Sequence, residues 1–304
     1  MPAPLRLPAG YRQRPLSFDD AAAVTEVIAA DEAATIGEVA IEVPDIVAEW
    51  QRPSKDVPST TVGVEHAGRL VAYAEHMGDE RSDASVHPDH CGRGIGTELA
   101  RWLAERAREL GEDEIGMPRV VGTPGDRLLA SLGWEVRYEA WVLELPAGVD
   151  VPPRPLPDGY TLREATPADH EAAWTVNEDA FAEWSGRERE PFADWRAEIV
   201  GRPGFEPWHL RVVTDETGTV VAMANVFIAG TEGHVRKLAT RADQRGRGLA
   251  QALLADSFRV ARAHGATRST LNTDSRTGAL DLYRRVGLDV VKTYHHRALA
   301  LTRK

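Results

Sequence analysis

Two stretches of this chain carry the same hydrophobic signature, an apolar stripe at helical spacing that starts directly after a glycine-rich turn. In the first, Ile95, Leu99, Leu103, Ala107 and Leu110 recur every three or four residues behind Gly92-Arg93-Gly94-Ile95-Gly96, and Gly111 supplies a left-handed helix end. In the second, Leu249, Leu253, Leu254, Phe258 and Ala261 follow Arg245-Gly246-Arg247-Gly248-Leu249-Ala250, and the helix is predicted to stop near Gly265. A strand is predicted ahead of the second turn, from His234 to Thr240. Earlier, apolar and polar residues alternate over Val62 to Glu65 and from Arg69 to Met77, around the turn His66-Ala67-Gly68. The run from Leu210 repeats that hairpin with its turn at Asp215 to Gly218. A short strand at Tyr11 to Arg14 precedes a helix over Ala21, Val24, Val27 and Ile28, with Ser17, Asp19 and Asp20 as capping residues.

These landmarks repeat in order. Gly94 and Gly248 stand 154 residues apart, as do Gly133 and Gly287 of Ser131-Leu-Gly-Trp and Arg285-Val-Gly-Leu; the two Leu-Pro-x-Gly-Tyr openings lie 149 apart at Gly10 and Gly159. Nearly constant offset over ordered landmarks means a duplicated domain. Between the halves, the run from Leu145 to Tyr160 is rich in proline and glycine, which fit neither helix interior nor central strand. Residues 1–147 are therefore expected to form one domain, 148–158 a linker and 159–304 a second domain. Each half has hairpins early and a βαβ unit late, which predicts an α/β fold, a mixed and mainly antiparallel sheet with helices on both faces.

Composition narrows the function classes. The 304 residues are 42% hydrophobic and 27% charged, with a formal net charge of −11. An acidic surface attracts neither nucleic acid nor anionic membrane, and suits an amine acceptor only weakly as an argument. One cysteine, Cys91, excludes an intrachain disulfide and fits a reducing compartment. The first fifteen residues lack a signal-peptide core and no apolar run reaches bilayer length, so the expected location is cytoplasmic.

The glycine-rich turns carry the chemistry. A strand–turn–helix unit presents backbone N–H groups at the positive end of the helix dipole, where a pyrophosphate binds well. Arg245 to Ala250 resembles the Q/R-x-x-G-x-G/A loop of the GNAT family of N-acetyltransferases. The stretch from Ala279 to Leu288 is similar to that family's closing helix. Both resemblances recur in the first half, most nearly those of tandem acetyltransferases of the mycothiol-synthase kind. The resemblance implies a sheet splayed in its middle, acetyl-CoA as acyl donor, and transfer to an amine. It implies that Leu238, Ala239 and Thr240 pair with pantetheine and that Arg245, Gly246, Arg247, Gly248, Leu249 and Ala250 hold the pyrophosphate. Ser275 stands where the family often has an Asn that contacts the coenzyme. Tyr283 takes the place of the family's tyrosine that protonates the departing thiolate, and Glu232 or His234 that of the base. The bland alternatives are a tyrosine packed on the core and a half-exposed strand histidine.

In the first half Cys91 replaces the loop's leading Gln/Arg, and Leu129 matches Tyr283 but has no proton to give. Val86, Gly92, Arg93, Gly94, Ile95, Gly96 and Thr97 form a second possible coenzyme site, acting through backbone groups. The first half is expected to be a non-catalytic partner and Cys91 a small turn residue rather than a reactive thiol. His295 and His296 are adjacent on the last strand and point to opposite faces, so they do not chelate a metal, and no metal is expected. Trp184, Phe192, Trp195, Phe205 and Trp208 are either an acceptor lid or core packing. The expected enzyme acts on a small-molecule amine as a monomer or homodimer. The competing readings are a coenzyme-A-binding regulatory or scaffold protein without turnover, a mycothiol-synthase-like enzyme, and a protein-lysine acetyltransferase.

Overall fold

The computed structural model describes residues 3–78, 80–152, 154–185 and 188–301. The chain divides into two compact units, Met1–Glu139 with Thr293–Lys304, and Ala140–Lys292. This division differs from the boundaries expected from the repeat. The proline-rich segment lies inside the second unit, and the last strand of each half completes the sheet of the other unit.

The first unit runs β1 (Tyr11–Arg14), α1 (Ala21–Thr35), α2 (Val43–Trp50), α3 (Val57–Thr60), β2 (Thr61–His66), β3 (Arg69–Gly78), β4 (Arg81–Val86), α4 (Ile95–Leu110), β5 (Glu114–Val120), α5 (Pro124–Ser131) and the start of β6 (Glu135–Glu144). The second holds the end of β6, then β7 (Thr161–Glu164), α6 (His170–Ser185), α7 (Phe192–Ile199), β8 (Leu210–Thr214), β9 (Val220–Ala229), β10 (Glu232–Thr240), α8 (Leu249–Ala263), β11 (Arg268–Asp274), α9 (Leu280–Arg285) and the start of β12 (Asp289–Ala300). The end of β12 pairs antiparallel with β5 from Tyr294↔Val120 to Ala300↔Glu114 in the first unit. The end of β6 pairs with β11 from Thr270↔Glu144 to Asp274↔Ala140 in the second. Both units have the mixed α/β sheet expected, ordered β1-β2-β3-β4-β5-β12 and β6-β11-β10-β9-β8-β7.

The stripes do what their spacing requires. Ile95, Leu99, Leu103 and Ala107 are buried beneath α4 against Val62, Val64 and Ile115 on one face of the first sheet. Leu110 departs from the stripe and is 48% exposed, at the last turn before Gly111 takes its left-handed φ of 82°. On the other face Leu16, Val24, Val27 and Trp50 pack with Tyr73. In the second unit Leu249, Leu253, Leu254, Phe258 and Ala261 are all buried. Burying such side chains contributes about 1.5–3 kcal/mol each, which holds the glycine-rich turns against their sheets.

Parallel neighbours β4 and β5 share one register pair, Arg81↔Gly116, and then diverge. Ser82 Oγ donates to Gly116 O at 2.9 Å, and the Arg119 guanidinium donates to Ala84 O; beyond these bridges the strands part. In the second unit β10 and β11 stay paired over four residues, Glu232↔Arg268 to Val235↔Leu271, before a bulge between Val235 and Lys237. The first sheet is therefore splayed earlier along its strands.

Candidate active site

The earlier splay opens a cavity of about 780 Å³ in the first unit. One wall is the glycine-rich turn. After β4, a 3-10 turn at Pro88–His90 leads into Cys91, Gly92 at φ 73° and Gly94 at φ 82°, the N-cap of α4. These are left-handed conformations that glycine adopts without strain. A Cβ at Gly92 or Gly94 would find no atom within 4 Å, so the backbone faces open space. The helix's first internal hydrogen bond is Glu98 N–H to Gly94 O, which leaves the N–H groups of its first turn without intrahelical partners. The cradle fits a diphosphate at the positive end of a 16-residue helix. Gly92, Gly94, Ile95, Gly96, Thr97 and Val86 all line the cavity; these are the residues anticipated for a second coenzyme site, save Arg93.

The opposite wall combines α1, β4, β5 and the ends of β6 and β12. Asp31 of α1 lines it; burial pushes its carboxyl pKa up, with the charge of Arg119 and the Ser85 hydroxyl acting against that and Asp83 adding to it. Asp83 is held by Arg119 at 3.0 Å and by the hydroxyl of the buried Tyr73. His296 stacks on Tyr138, ring centroids 4.3 Å apart at 12°, where Gly116 has no Cβ to collide with its ring. His295 points the other way and bonds Asp126 at 3.0 Å. Cys91 Sγ lies 3.7 Å from the carbonyls of Val86 and His87, and burial with the Asp31 charge pushes its pKa up, so it stays a thiol at neutral pH. Among the described residues no cluster of three or more metal-ligating groups forms.

The second glycine-rich turn has the same backbone, with Gly246 at φ 76° and Gly248 at φ 84°, but it is covered. A Cβ on Gly248 would overlap the Arg154 guanidinium. Gln251 Nε2 fixes that covering segment through Pro152 O at 2.9 Å. Arg245 pairs with Glu183 at 2.6 Å, Leu249 is buried, and Tyr160 donates to Gln244 at 2.6 Å. On β10, Ala239 and Leu238 pack into hydrophobic clusters, and the buried Thr240 hydroxyl has no hydrogen-bond partner among the described residues. Ser275 is exposed in the turn after β11.

Tyr283 on α9 packs its ring on the core with Leu280 and Val286, and burial pushes its pKa up to about 12. Glu232 and His234 hold each other at 3.3 Å, and both bond Thr270. Burial would raise the Glu232 pKa, but hydrogen bonds from His234 and Thr270 outweigh it and bring the carboxyl to about 2, a weak base. The aromatic segment is core: Trp195 and Trp208 are buried, and Phe192 and Phe205 pack on the cluster around Trp195, while the Trp184 side chain lies outside the described residues.

Asp31 and Tyr138 were not among the sequence candidates, and His296 was considered only as half of a metal pair with His295. Asp31 sits in an Ala-rich helix whose acidic pair reads as solvated surface. Tyr138 and His296 reach the cavity only through strands whose pairing the repeat does not announce.

Comparison with known proteins places this geometry. The acetyltransferase (GNAT) family matches residues 26–123 and 170–288. Mycothiol acetyltransferase of Salinispora arenicola is 31% identical over 218 residues, 67% of this chain and 68% of that protein. Mycothiol acetyltransferase of Frankia casuarinae is 32% identical over 158 residues, 49% of this chain and 44% of that relative, so this match spans less than half of it. Among solved structures, a GCN5-related N-acetyltransferase from Sphaerobacter thermophilus superposes with TM-score 0.73 at 26% identity, covering 97% of both chains. A tandem GNAT protein of the clavulanic acid pathway shares the fold at TM-score 0.71 and 17% identity, over 96% of this chain and 99% of that one. With both halves matched, the chain belongs to the GNAT acetyltransferase family.

Proposed function

We propose that the chain is an acetyl-CoA-dependent N-acetyltransferase acting on a small-molecule amine, with the reaction in the cavity of the first unit. The observation that carries this is the early splay of β4 from β5, which opens a large cavity directly against the glycine-rich turn. The first-turn N–H groups of α4 would hold the pyrophosphate, and Val86 on the open edge of β4 would border the pantetheine arm. When bound, acetyl-CoA supplies an acyl group activated as a thioester. The chain's own part is to orient the amine, keep bulk water out, and aim backbone N–H groups at the developing oxyanion.

This differs from catalysis in the second half. That reading keeps one supporting observation, a phenol on α9 whose burial holds it protonated. Calorimetric titration with coenzyme A separates the two. A valine in a left-handed turn costs about 1–3 kcal/mol and distorts the cradle. Gly94→Val should weaken binding at least about tenfold and Gly248→Val little. The reverse pattern moves the site to the second unit, and no binding by the wild type removes the coenzyme. Binding without acetylation of any amine favours the regulatory or scaffold reading. Mycothiol acetyltransferases among the relatives support an amino-sugar acceptor as the first substrate to assay.

A further inference from the structure

We propose that Asp31 is the catalytic residue that takes the proton from the acceptor, and that the acceptor is a small primary amine entering as its ammonium ion. This inference rests on acyl transfer occurring in the first unit's cavity.

Asp31 projects from α1 into the cavity, which Ser85 and Val86 on the open edge of β4 also line. Its carboxylate thus lies beside the strand that borders the acyl group. The other charges nearby are spoken for. Arg119 is engaged by Asp83 and by Ala84 O. Glu32, next to Asp31, accepts the N–H groups of Ala40 and Ile41 at 2.8 and 3.1 Å and so ties down the segment before α2. Asp31 makes no ion pair among the described residues, so a half-buried carboxylate faces the cavity. A cation arriving from solvent is what this arrangement lacks.

The groups facing Asp31 set how it titrates. Asp83 from β4 opposes ionisation and Arg119 from β5 favours it; Tyr73 from β3 stays protonated on Asp83; Cys91 and His90 follow β4, with burial lowering the His90 pKa so that it adds no positive charge at neutral pH. The result is a carboxylate more basic than usual, which suits it to accept a proton.

The step balances. The ammonium R–NH3+ gives one proton to the Asp31 carboxylate. The freed lone pair forms the C–N bond at the thioester carbonyl. As the tetrahedral oxyanion collapses, the C–S bond breaks and its electron pair leaves with sulfur. A second N–H proton goes to that thiolate, the third stays on the amide, and Asp31 releases its proton to solvent.

The test measures acetylation of glucosamine, tyramine and spermidine by acetyl-CoA from about pH 6.5 to pH 10, in wild type and Asp31→Asn, beside calorimetric titration with coenzyme A. Asp31→Asn should lower kcat/KM at least about 100-fold near pH 7. The deficit should shrink as the pH approaches the pKa of the amine, where solution already supplies the neutral nucleophile. Coenzyme affinity should stay within about twofold, and Asp31→Glu should restore part of the rate. An unchanged rate, a deficit equal at every pH, or loss of coenzyme binding along with turnover overturns the assignment. A wild type that binds coenzyme but acetylates none of the three amines overturns the acceptor class. A wild type that binds no coenzyme defeats the underlying reading instead.

Discussion

Two aspartates of the first unit, Asp31 and Asp126, show how far surroundings outweigh residue type. Asp126 at the start of α5 accepts from Gly122 N–H at 2.9 Å, Arg297 at 2.6 Å and His295 at 3.0 Å. Burial would raise its pKa, but these donors prevail and bring it to about 2. A carboxyl depressed in the folded state contributes stability above its unfolded pKa, 3.8, and loses it as pH falls toward 2. Denaturant melts at falling pH should therefore show wild type losing stability across that window, with Asp126→Asn losing less. At neutral pH Asp126→Ala should cost about 3–5 kcal/mol, because Arg297 is left with an uncompensated charge. Neither environment is legible in the sequence. The charged partners of Asp126, His295 and Arg297, lie some 170 residues away, and Asp31 looks like one more surface acid on an Ala-rich helix.

Elements were far more legible, because helix and strand periodicities are local. The strand at Tyr11 to Arg14, the stripes of α4 and α8 and the stop at Gly111 follow from side-chain spacing and glycine alone. The repeat even extends to a clip that spacing only hinted at. Arg14 grips Asp20 through two nitrogens at 2.7 and 2.8 Å, and Arg163 grips Asp169 likewise at 2.7 and 2.9 Å. In each case the carboxylate also accepts the backbone N–H of the capping residue, Ser17 or Thr166. Because the arginines are about one-third exposed, Asp20→Ala or Asp169→Ala should cost about 1–2 kcal/mol, mostly as a lost cap, measurable by urea unfolding. What spacing could not supply is the angle between neighbouring strands. Whether β4 leaves β5 after one pair or β10 leaves β11 after four depends on side chains such as Arg119 and Ser82 that bridge the gap. The cavity of about 780 Å³ lies beside the earlier splay, and the motif, nearly equal in both halves, does not reveal it.

At the scale of the whole molecule, the duplication was readable from constant offsets, but the exchange of final strands was not. β6 and β12 alternate similarly, and nothing local says which β-strand each will join. The first unit takes the tail of β12, and with it Arg297 and His296, from the far end of the chain. A fragment ending at residue 147 should therefore lack a cooperative thermal transition, since β5 would keep a bare edge and Asp126 would lose its arginine. Adding a synthetic peptide of residues 289–304 should restore the transition. The exchange also sets an order of assembly during synthesis. The second unit is one continuous segment and can close once Lys292 clears the ribosome, whereas the first, translated earlier, must wait with its hydrophobic edge open until the β12 tail from Thr293 emerges. The half made first is finished last, and a chain cut before Tyr294 would leave only the second unit complete.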